Sequence, residues 1–105
     1  MAYKPFDLTG KVALVTGGNG GIGFGMAQAV AQGGADIVIW GSNAQKNADA
    51  AEKLKATGVR VLTQVVNVAD EAAVAAGMAE AVAKMGRIDT VVANAGIGAG
   101  AKSFS

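Results

Sequence analysis

The stretch Thr16-Gly17-Gly18-Asn19-Gly20-Gly21-Ile22-Gly23 decides the fold of this chain. It directly follows the apolar run Val12-Ala13-Leu14-Val15 and directly precedes a segment with helical periodicity. A glycine-rich turn between a buried strand and a helix lets the backbone approach a pyrophosphate, whose charge meets the N–H groups of the first helical turn. We therefore predict a strand–turn–helix unit that binds a dinucleotide.

The rest of the chain alternates strands and helices in the same way. Apolar and β-branched runs predict strands at 11–16, 36–40, 59–66 and 88–93. Because a helix connects each strand to the next, the strands should be parallel and the crossovers right-handed. The sequence predicts an α/β fold: a Rossmann-like, parallel four-stranded sheet in the order 3-2-1-4, with helices on both faces.

Apolar positions three and four residues apart predict the core-facing side of each helix. These positions are Ile22, Met26, Ala29 and Val30 in the first helix, Ala44, Ala48, Ala51 and Leu54 in the second, and Val74, Met78, Ala81, Val82 and Met85 in the third. Helix caps are predicted at Ser42 or Asn43 and at Asp70, and helix ends at Gly33-Gly34, Gly58 and Gly86. We expect one domain over 1–105, with 97–105 as a flexible tail.

Composition excludes several classes of function. The nine basic and eight acidic side chains give a net charge of +1, and no basic block points to a nucleic acid. The absence of cysteine and histidine removes disulfides, thiol chemistry and the usual zinc ligands. No apolar run approaches the ~20 residues that span a membrane. We expect a cytoplasmic protein that binds neither metal, nucleic acid nor membrane.

Three segments together carry a resemblance to a known family. They are the opening 6–16, the turn Thr16-Gly17-x-x-x-Gly21-Ile22-Gly23, and the segment 86–96, which ends in Asn94-Ala95-Gly96. In this order and spacing the chain resembles the amino-terminal, cofactor-binding half of the short-chain dehydrogenase/reductase family. The resemblance covers nearly the whole chain and implies a dinucleotide site.

The resemblance also implies which residues bind the cofactor. The positions expected along the pyrophosphate are Gly17, Gly21, Ile22 and Gly23. Gly20 is also expected at the cofactor, and Asn19 lies in reach of phosphate or ribose. The positions expected along the adenosine ribose are Asn94, Ala95 and Gly96. Asn67 stands where the family usually has an aspartate that contacts the adenine amino group, and Val68 would follow it against the ring. Asn67 could equally cap the loop after the third strand.

The end of the second strand predicts which dinucleotide is bound. NAD-binding folds place a carboxylate there for the ribose hydroxyls, whereas this chain has Gly41, followed by Ser42 and Asn43. No carboxylate would repel a 2′-phosphate, and Lys46 could supply a positive charge, although a lone lysine is more often a solvated helix residue. We expect NADP(H) rather than NAD(H). Trp40, just before this site, either stacks near the adenine or packs at the strand end.

No catalytic residue can be assigned in this sequence. The family's catalytic Ser and Tyr-x-x-x-Lys lie beyond the fourth strand, whereas Tyr3 precedes the first strand and Ser103 and Ser105 lie in the tail. The leading interpretation is a protein that binds mainly the ADP-ribose part of the cofactor without its own catalysis. One alternative is an NADP-dependent oxidoreductase completed by a partner chain or a second copy. The other is a truncated fragment without function.

The fourth strand predicts self-association. At the edge of a four-stranded sheet it would present unpaired backbone groups and apolar side chains, which natural proteins rarely leave bare. We expect a homodimer or higher oligomer through the edge at 88–93.

Overall fold

The structure is a computed structural model, and it describes residues 7–17 and 20–93. The elements in chain order are β1 (Val12–Thr16), α1 (Gly21–Gln32), β2 (Asp36–Trp40), α2 (Ala44–Lys55), β3 (Val61–Gln64), α3 (Glu71–Met85) and β4 (Thr90–Ala93). The strands form one parallel sheet in the order β3-β2-β1-β4. The predicted α/β class, strand direction and strand order are confirmed.

Two apolar layers cover the two faces of the sheet. Side chains alternate along a strand, so Ala13 and Val15 face α1 and α2 whereas Val12 and Leu14 face α3. The first layer contains Ala13, Val15, Ala27, Ala31, Ile37, Ile39, Ala50 and Leu54. The second contains Val12, Leu14, Val38, Trp40, Val66, Ala81 and Met85. Burial on both faces explains why the central strands are continuous apolar runs.

Three of the four predicted strands are longer than the observed ones. β2 has the predicted bounds, but β1 begins one residue later, β3 covers only Val61–Gln64 and β4 only Thr90–Ala93. The length of β3 is limited by the strand with which it pairs, because β2 and β3 are paired only from Ile37↔Val61 to Trp40↔Gln64. Beyond the paired segments, Val66 and Ile88 pack in the α3 layer instead.

The predicted apolar face of α1 is wrong by one residue. The buried residues of α1 are Gly23, Ala27 and Ala31, whereas Ile22 is 69% exposed and Met26 39% exposed. Ala29 is exposed as well, and Val30 packs only at the margin of the core. The helix turns its smallest side chains to the sheet, which allows the two backbones to approach closely.

The faces of α2 and α3 are predicted in part. In α2, Ala51 and Leu54 are buried as expected, but Ala44 and Ala48 are exposed and their places are taken by Asn47 and Ala50. In α3, the expected Ala81 and Met85 are buried, and Val74 and Met78 pack beside them. Val82 is 42% exposed, and the buried residue in the middle of α3 is Gly77.

Most helix ends follow the local sequence signals, but α2 ends at Lys55 with Ala56 as its C-cap, before the predicted Gly58. Asn43 rather than Ser42 caps α2, since its side chain accepts from the Lys46 N–H at 3.0 Å. Asp70 caps α3 by accepting from the N–H groups of Ala72 and Ala73. Gly86 ends α3 in the left-handed conformation, as predicted. The predicted tail at 97–105 lies outside the described residues, and no helix within them is both long and apolar enough to cross a bilayer.

Candidate functional site

The glycine turn lies at the carboxyl end of β1. Gly17 and Gly21 both have positive φ, 67° and 57°, a conformation that side chains with a Cβ rarely adopt. The Gly17 N–H donates to the Trp40 carbonyl at 2.7 Å, which ties the turn to the end of β2. Among the described residues no side chain caps α1, and its first turn contains no acidic residue. The first N–H groups of α1 are therefore suited to an anion.

A cavity of about 330 Å³ opens beside this turn, where three strands end. Its lining residues are Gly17 after β1, Trp40, Gly41 and Ser42 at the end of β2, and Val66, Asn67 and Val68 after β3. Val68 is 48% exposed and offers an apolar surface. The structure thus brings together five of the predicted cofactor residues: Gly17, Gly41, Ser42, Asn67 and Val68.

Asn67 has a structural role in addition to its position in the cavity wall. Its Oδ1 accepts from the Ala69 N–H at 2.9 Å, and its carbonyl accepts from the Asp70 N–H at 2.9 Å. This turn leads directly into the cap of α3. The loop-capping interpretation of Asn67 is therefore observed, and the same residue lines the cavity.

In the described part of the chain no charged side chain lines this cavity, whereas a second cavity contains three of them. None of the residues that line it carries a carboxylate. Lys46 does not line it but lines a second cavity of about 340 Å³, with Gly20, Gly21, Phe24, Asp49, Ala50 and Lys53. This second cavity connects the start of α1 with one face of α2. Lys46 was expected at the end of β2 beside Ser42 and Asn43 but lines this second cavity instead, and Lys53, whose Nζ lies 5.7 Å from the Phe24 ring centroid, was not predicted.

A buried polar network forms the wall behind the first cavity, and sequence analysis missed most of it. The Trp40 indole Nε1–H donates to Gln64 Oε1 at 2.7 Å, and Gln64 Nε2 donates to the Gly77 carbonyl at 3.1 Å. Asn47 Nδ2 donates to the carbonyls of Gly41 and Gln64 at 3.1 and 3.4 Å. Trp40 is only 3% exposed, so the packing interpretation of this residue is the observed one. A buried indole needs an acceptor, and this requirement was the signal available in the sequence.

Another cavity lies at the opposite end of the sheet. It measures about 430 Å³ and is lined mainly by apolar residues, with Lys11 and Asp89 at its margin. Asp89 Oδ2 accepts from the Val12 N–H at 2.8 Å, and Arg87 donates to its Oδ1 at 2.6 Å. The guanidinium of Arg87, and then the Val12 N–H, hold the pKa of Asp89 below its usual value. These contacts join β4 to β1, and we assign them a structural role.

Four of the predicted site residues lie outside the described part of the chain. They are Asn19, Asn94, Ala95 and Gly96. Of the others, Ile22 is exposed beside the turn, Gly23 is buried against the sheet, and Asn43 is exposed at the α2 cap. Within residues 7–17 and 20–93 no cluster of acidic side chains could hold a metal ion.

Comparison with known proteins identifies relatives along nearly the whole chain. Residues 11–105 match the model of the family described as short chain dehydrogenase. A 2-dehydro-3-deoxy-D-gluconate 5-dehydrogenase from Dickeya dadantii is 42% identical over 97 residues, covering 92% of this chain and 38% of that protein. The chain therefore spans little more than a third of the length of this curated relative.

Two solved structures resemble the fold closely. An L-sorbose reductase from Gluconobacter frateurii, complexed with NADPH and L-sorbose, has a TM-score of 0.81 at 39% identity, over 85% of this chain and 34% of that one. An NAD⁺-bound xylitol dehydrogenase has a TM-score of 0.78 at 32% identity, over 80% of this chain and 32% of that one.

Proposed function

The chain belongs to the short chain dehydrogenase family, and on that premise we propose that it binds an NAD(P)(H) dinucleotide at the carboxyl ends of β1, β2 and β3. One observation carries this proposal: the cavity between these strand ends is lined by Gly17, the first residue of the glycine turn that leads to the uncapped start of α1. Ligands of open parallel sheets bind outside the carboxyl ends of the strands, and a helix start meets the phosphate charge.

We propose that the ADP-ribose part of the cofactor supplies most of the binding. The adenine would lie against Val68 with its amino group at Asn67, and the pyrophosphate would lie along Gly17 and Gly21. Asn19, Asn94, Ala95 and Gly96 remain predicted contacts on the strength of the family resemblance. Because no residue of this chain is assigned to the nicotinamide, that half of the cofactor should add little affinity.

We propose NADP(H) as the preferred cofactor. The cavity at the end of β2 is lined without a carboxylate, and Ser42 and Asn43 are exposed beside it. Lys46 and Lys53 line the second cavity together with the single carboxylate of Asp49, and their net positive charge would favour a 2′-phosphate. Both cofactors occur among structurally similar proteins, since the L-sorbose reductase contains NADPH and the xylitol dehydrogenase NAD⁺.

Titration of the single tryptophan tests this proposal, because Trp40 lines the cavity. We expect saturable quenching by NADPH, weaker binding of NADH, and an affinity for 2′,5′-ADP close to that of NADPH. A large loss of affinity on removing the nicotinamide half would contradict the ADP-ribose assignment. If a folded sample bound none of the three ligands, the dinucleotide proposal would be wrong and the non-functional fragment would be the better interpretation.

A second candidate is an oxidoreductase in which another polypeptide completes the active site. The relatives described above are named as dehydrogenases or reductases, which favours this chemistry for a completed protein. We propose that the 105 residues alone bind cofactor without turnover, because they offer no assignable Ser, Tyr and Lys. Oxidation of NADPH by the purified chain with a panel of ketones and keto sugars would overturn that part of the proposal.

We also propose that the edge of β4 associates with a second copy of the chain. Within the described sheet β4 pairs only with β1, and Val91 in its centre is 51% exposed. Antiparallel pairing across a two-fold axis would satisfy both edges. Light scattering should show a dimer that Val91→Lys converts to a monomer with unchanged 2′,5′-ADP affinity. A wild-type chain that stays monomeric at high concentration would contradict the proposal.

A further inference from the structure

Two amide side chains are buried in the core. Asn47 of α2 is 1% exposed and Gln64 of β3 is 9% exposed. Burying an amide is unfavourable unless its donors and acceptors find partners. Both amides do have hydrogen-bond partners, and these partners include Trp40 and Gly41, which line the cavity at the carboxyl ends of the strands.

Asn47 connects one helix to two strand ends. It lies in α2 one turn after the Asn43 cap, and its backbone N–H donates to the Asn43 carbonyl at 3.0 Å. Its Nδ2 donates to the carbonyl of Gly41, which directly follows β2, and to the carbonyl of Gln64, the last residue of β3. The segment Gly41–Asn43 is thus held at its beginning by the side chain of Asn47 and at its end by the start of α2.

Gln64 connects the same place to the helix on the other face. It accepts from the Trp40 indole and donates to the Gly77 carbonyl in α3. A Cβ at Gly77 would lie 3.2 Å from Trp40 Cζ2 and 3.0 Å from Val66 Cγ2, so α3 packs tightly against two residues of the cavity wall. The network therefore fixes the indole, the end of β2 and the start of the loop after β3 relative to one another.

We propose that Asn47 is a positioning residue for the adenosine part of the dinucleotide, an inference that rests on the proposed function. Asn47 is not among the residues that line the cavity and is almost fully buried, so it acts without touching the ligand. By holding the Gly41 carbonyl it sets the direction in which Ser42 and Asn43 leave the sheet. These are the residues expected to distinguish a 2′-phosphate from a free ribose hydroxyl.

The test compares two substitutions in the same helix. Asn47→Leu keeps a side chain of similar size but removes both donors to the strand ends. Leu54→Ala is the matched control, because Leu54 is fully buried in α2 but belongs to the opposite apolar layer from Trp40 and Val66. Both variants should unfold at lower temperature than the wild-type chain. Only Asn47→Leu should weaken 2′,5′-ADP binding, by about tenfold, since the Gly41 carbonyl loses the Asn47 amide, whereas the Gln64 carbonyl keeps the Gly41 N–H as a donor.

A second measurement separates positioning from general loss of stability. Amide hydrogen exchange at Ser42 and Asn43 should accelerate in Asn47→Leu and stay at the wild-type rate in Leu54→Ala. If Asn47→Leu does not fold, Asn47→Ser retains one donor and should weaken 2′,5′-ADP binding by about threefold. Equal ligand affinities in the folded variants and the wild-type chain would overturn the inference while leaving the proposed function intact. Failure of the wild-type chain to bind 2′,5′-ADP would overturn the proposed function itself.

Discussion

β2 and β4 are both apolar strands of one sheet, but their surroundings differ sharply. β2 lies between β1 and β3 and is covered by helices on both faces, so Ile37, Val38 and Ile39 are each 0% exposed. β4 lies at the edge of the described sheet, and its central Val91 is 51% exposed. The two strands have similar apolar sequences, so the difference in their exposure comes from the strands and helices that pack against them. The candidate site is accordingly built where three strands end together, at the well-packed side of the molecule.

The largest expected effect is on stability, and it measures this difference directly. Ile39→Ala removes side-chain volume from a fully buried position and should lower the free energy of unfolding by about 3 kcal/mol. Val91→Ala, at the half-exposed edge, should lower it by only about 0.5 kcal/mol. Urea unfolding followed by circular dichroism gives both values. Similar losses for the two variants would show that β4 is as well covered as β2.

A smaller effect is expected where α3 packs on the wall of the site. Gly77→Ala places a Cβ against Val66 and Trp40, and the hydrogen-bonded indole cannot easily move, so the free energy of unfolding should fall by about 1 kcal/mol. The matched control is Gly25→Ala in α1, where a Cβ meets no atom within 4 Å of those described. That change should instead raise the free energy of unfolding by about 0.5 kcal/mol. A stabilising effect at both positions would mean that the wall is loosely packed.

The smallest effect concerns the contact that holds the beginning of β4 to β1. The pKa of the Asp89 carboxyl is lowered in the folded state by Arg87 and the Val12 N–H, so the unfolded chain takes up this proton first as the pH falls. Its contribution to stability is therefore complete above the usual aspartate pKa and is lost as the pH drops through the lowered value. Asp89→Asn should be less stable than the wild-type chain at neutral pH, and this difference should shrink in acid. A difference that is independent of pH would contradict this account.

The sequence predicted those features that depend on neighbouring residues. The parallel direction of the strands follows from the alternation of strands and helices, and their order was predicted from the dinucleotide-binding type of fold that the glycine turn indicates. The caps at Asn43 and Asp70 follow from a side chain that accepts from the next turn. The core face of α1 was not predicted, because Gly23, Ala27 and Ala31 carry too little apolar signal to outweigh Ile22 and Met26. The role of Asn47 was not predicted, because its side chain donates to the backbone carbonyls of Gly41 and Gln64. Every residue has such a carbonyl, so the sequence carries no signal of the contact.

The predicted cofactor residues also fall into two groups, those whose positions the sequence indicated and those whose positions depend on packing. The glycine turn was found because its pattern is continuous in the sequence, and the cavity beside it contains several of the residues that the family resemblance implied. The position of Lys46 in a separate cavity with Lys53 depends on how α2 packs against the start of α1, which periodicity does not specify.

The most direct test of the central claim is a titration of the ¹⁵N-labelled chain with 2′,5′-ADP, followed by amide chemical shifts. We expect the largest shifts at Gly17, Gly21, Gly41, Ser42 and Val68, which lie along the two cavities at the carboxyl ends of β1, β2 and β3. The amides of β4 and of Asp89, at the other cavity, should change little. Shifts confined to the region around Asp89, or no saturable shifts at all, would contradict a dinucleotide site at the glycine turn.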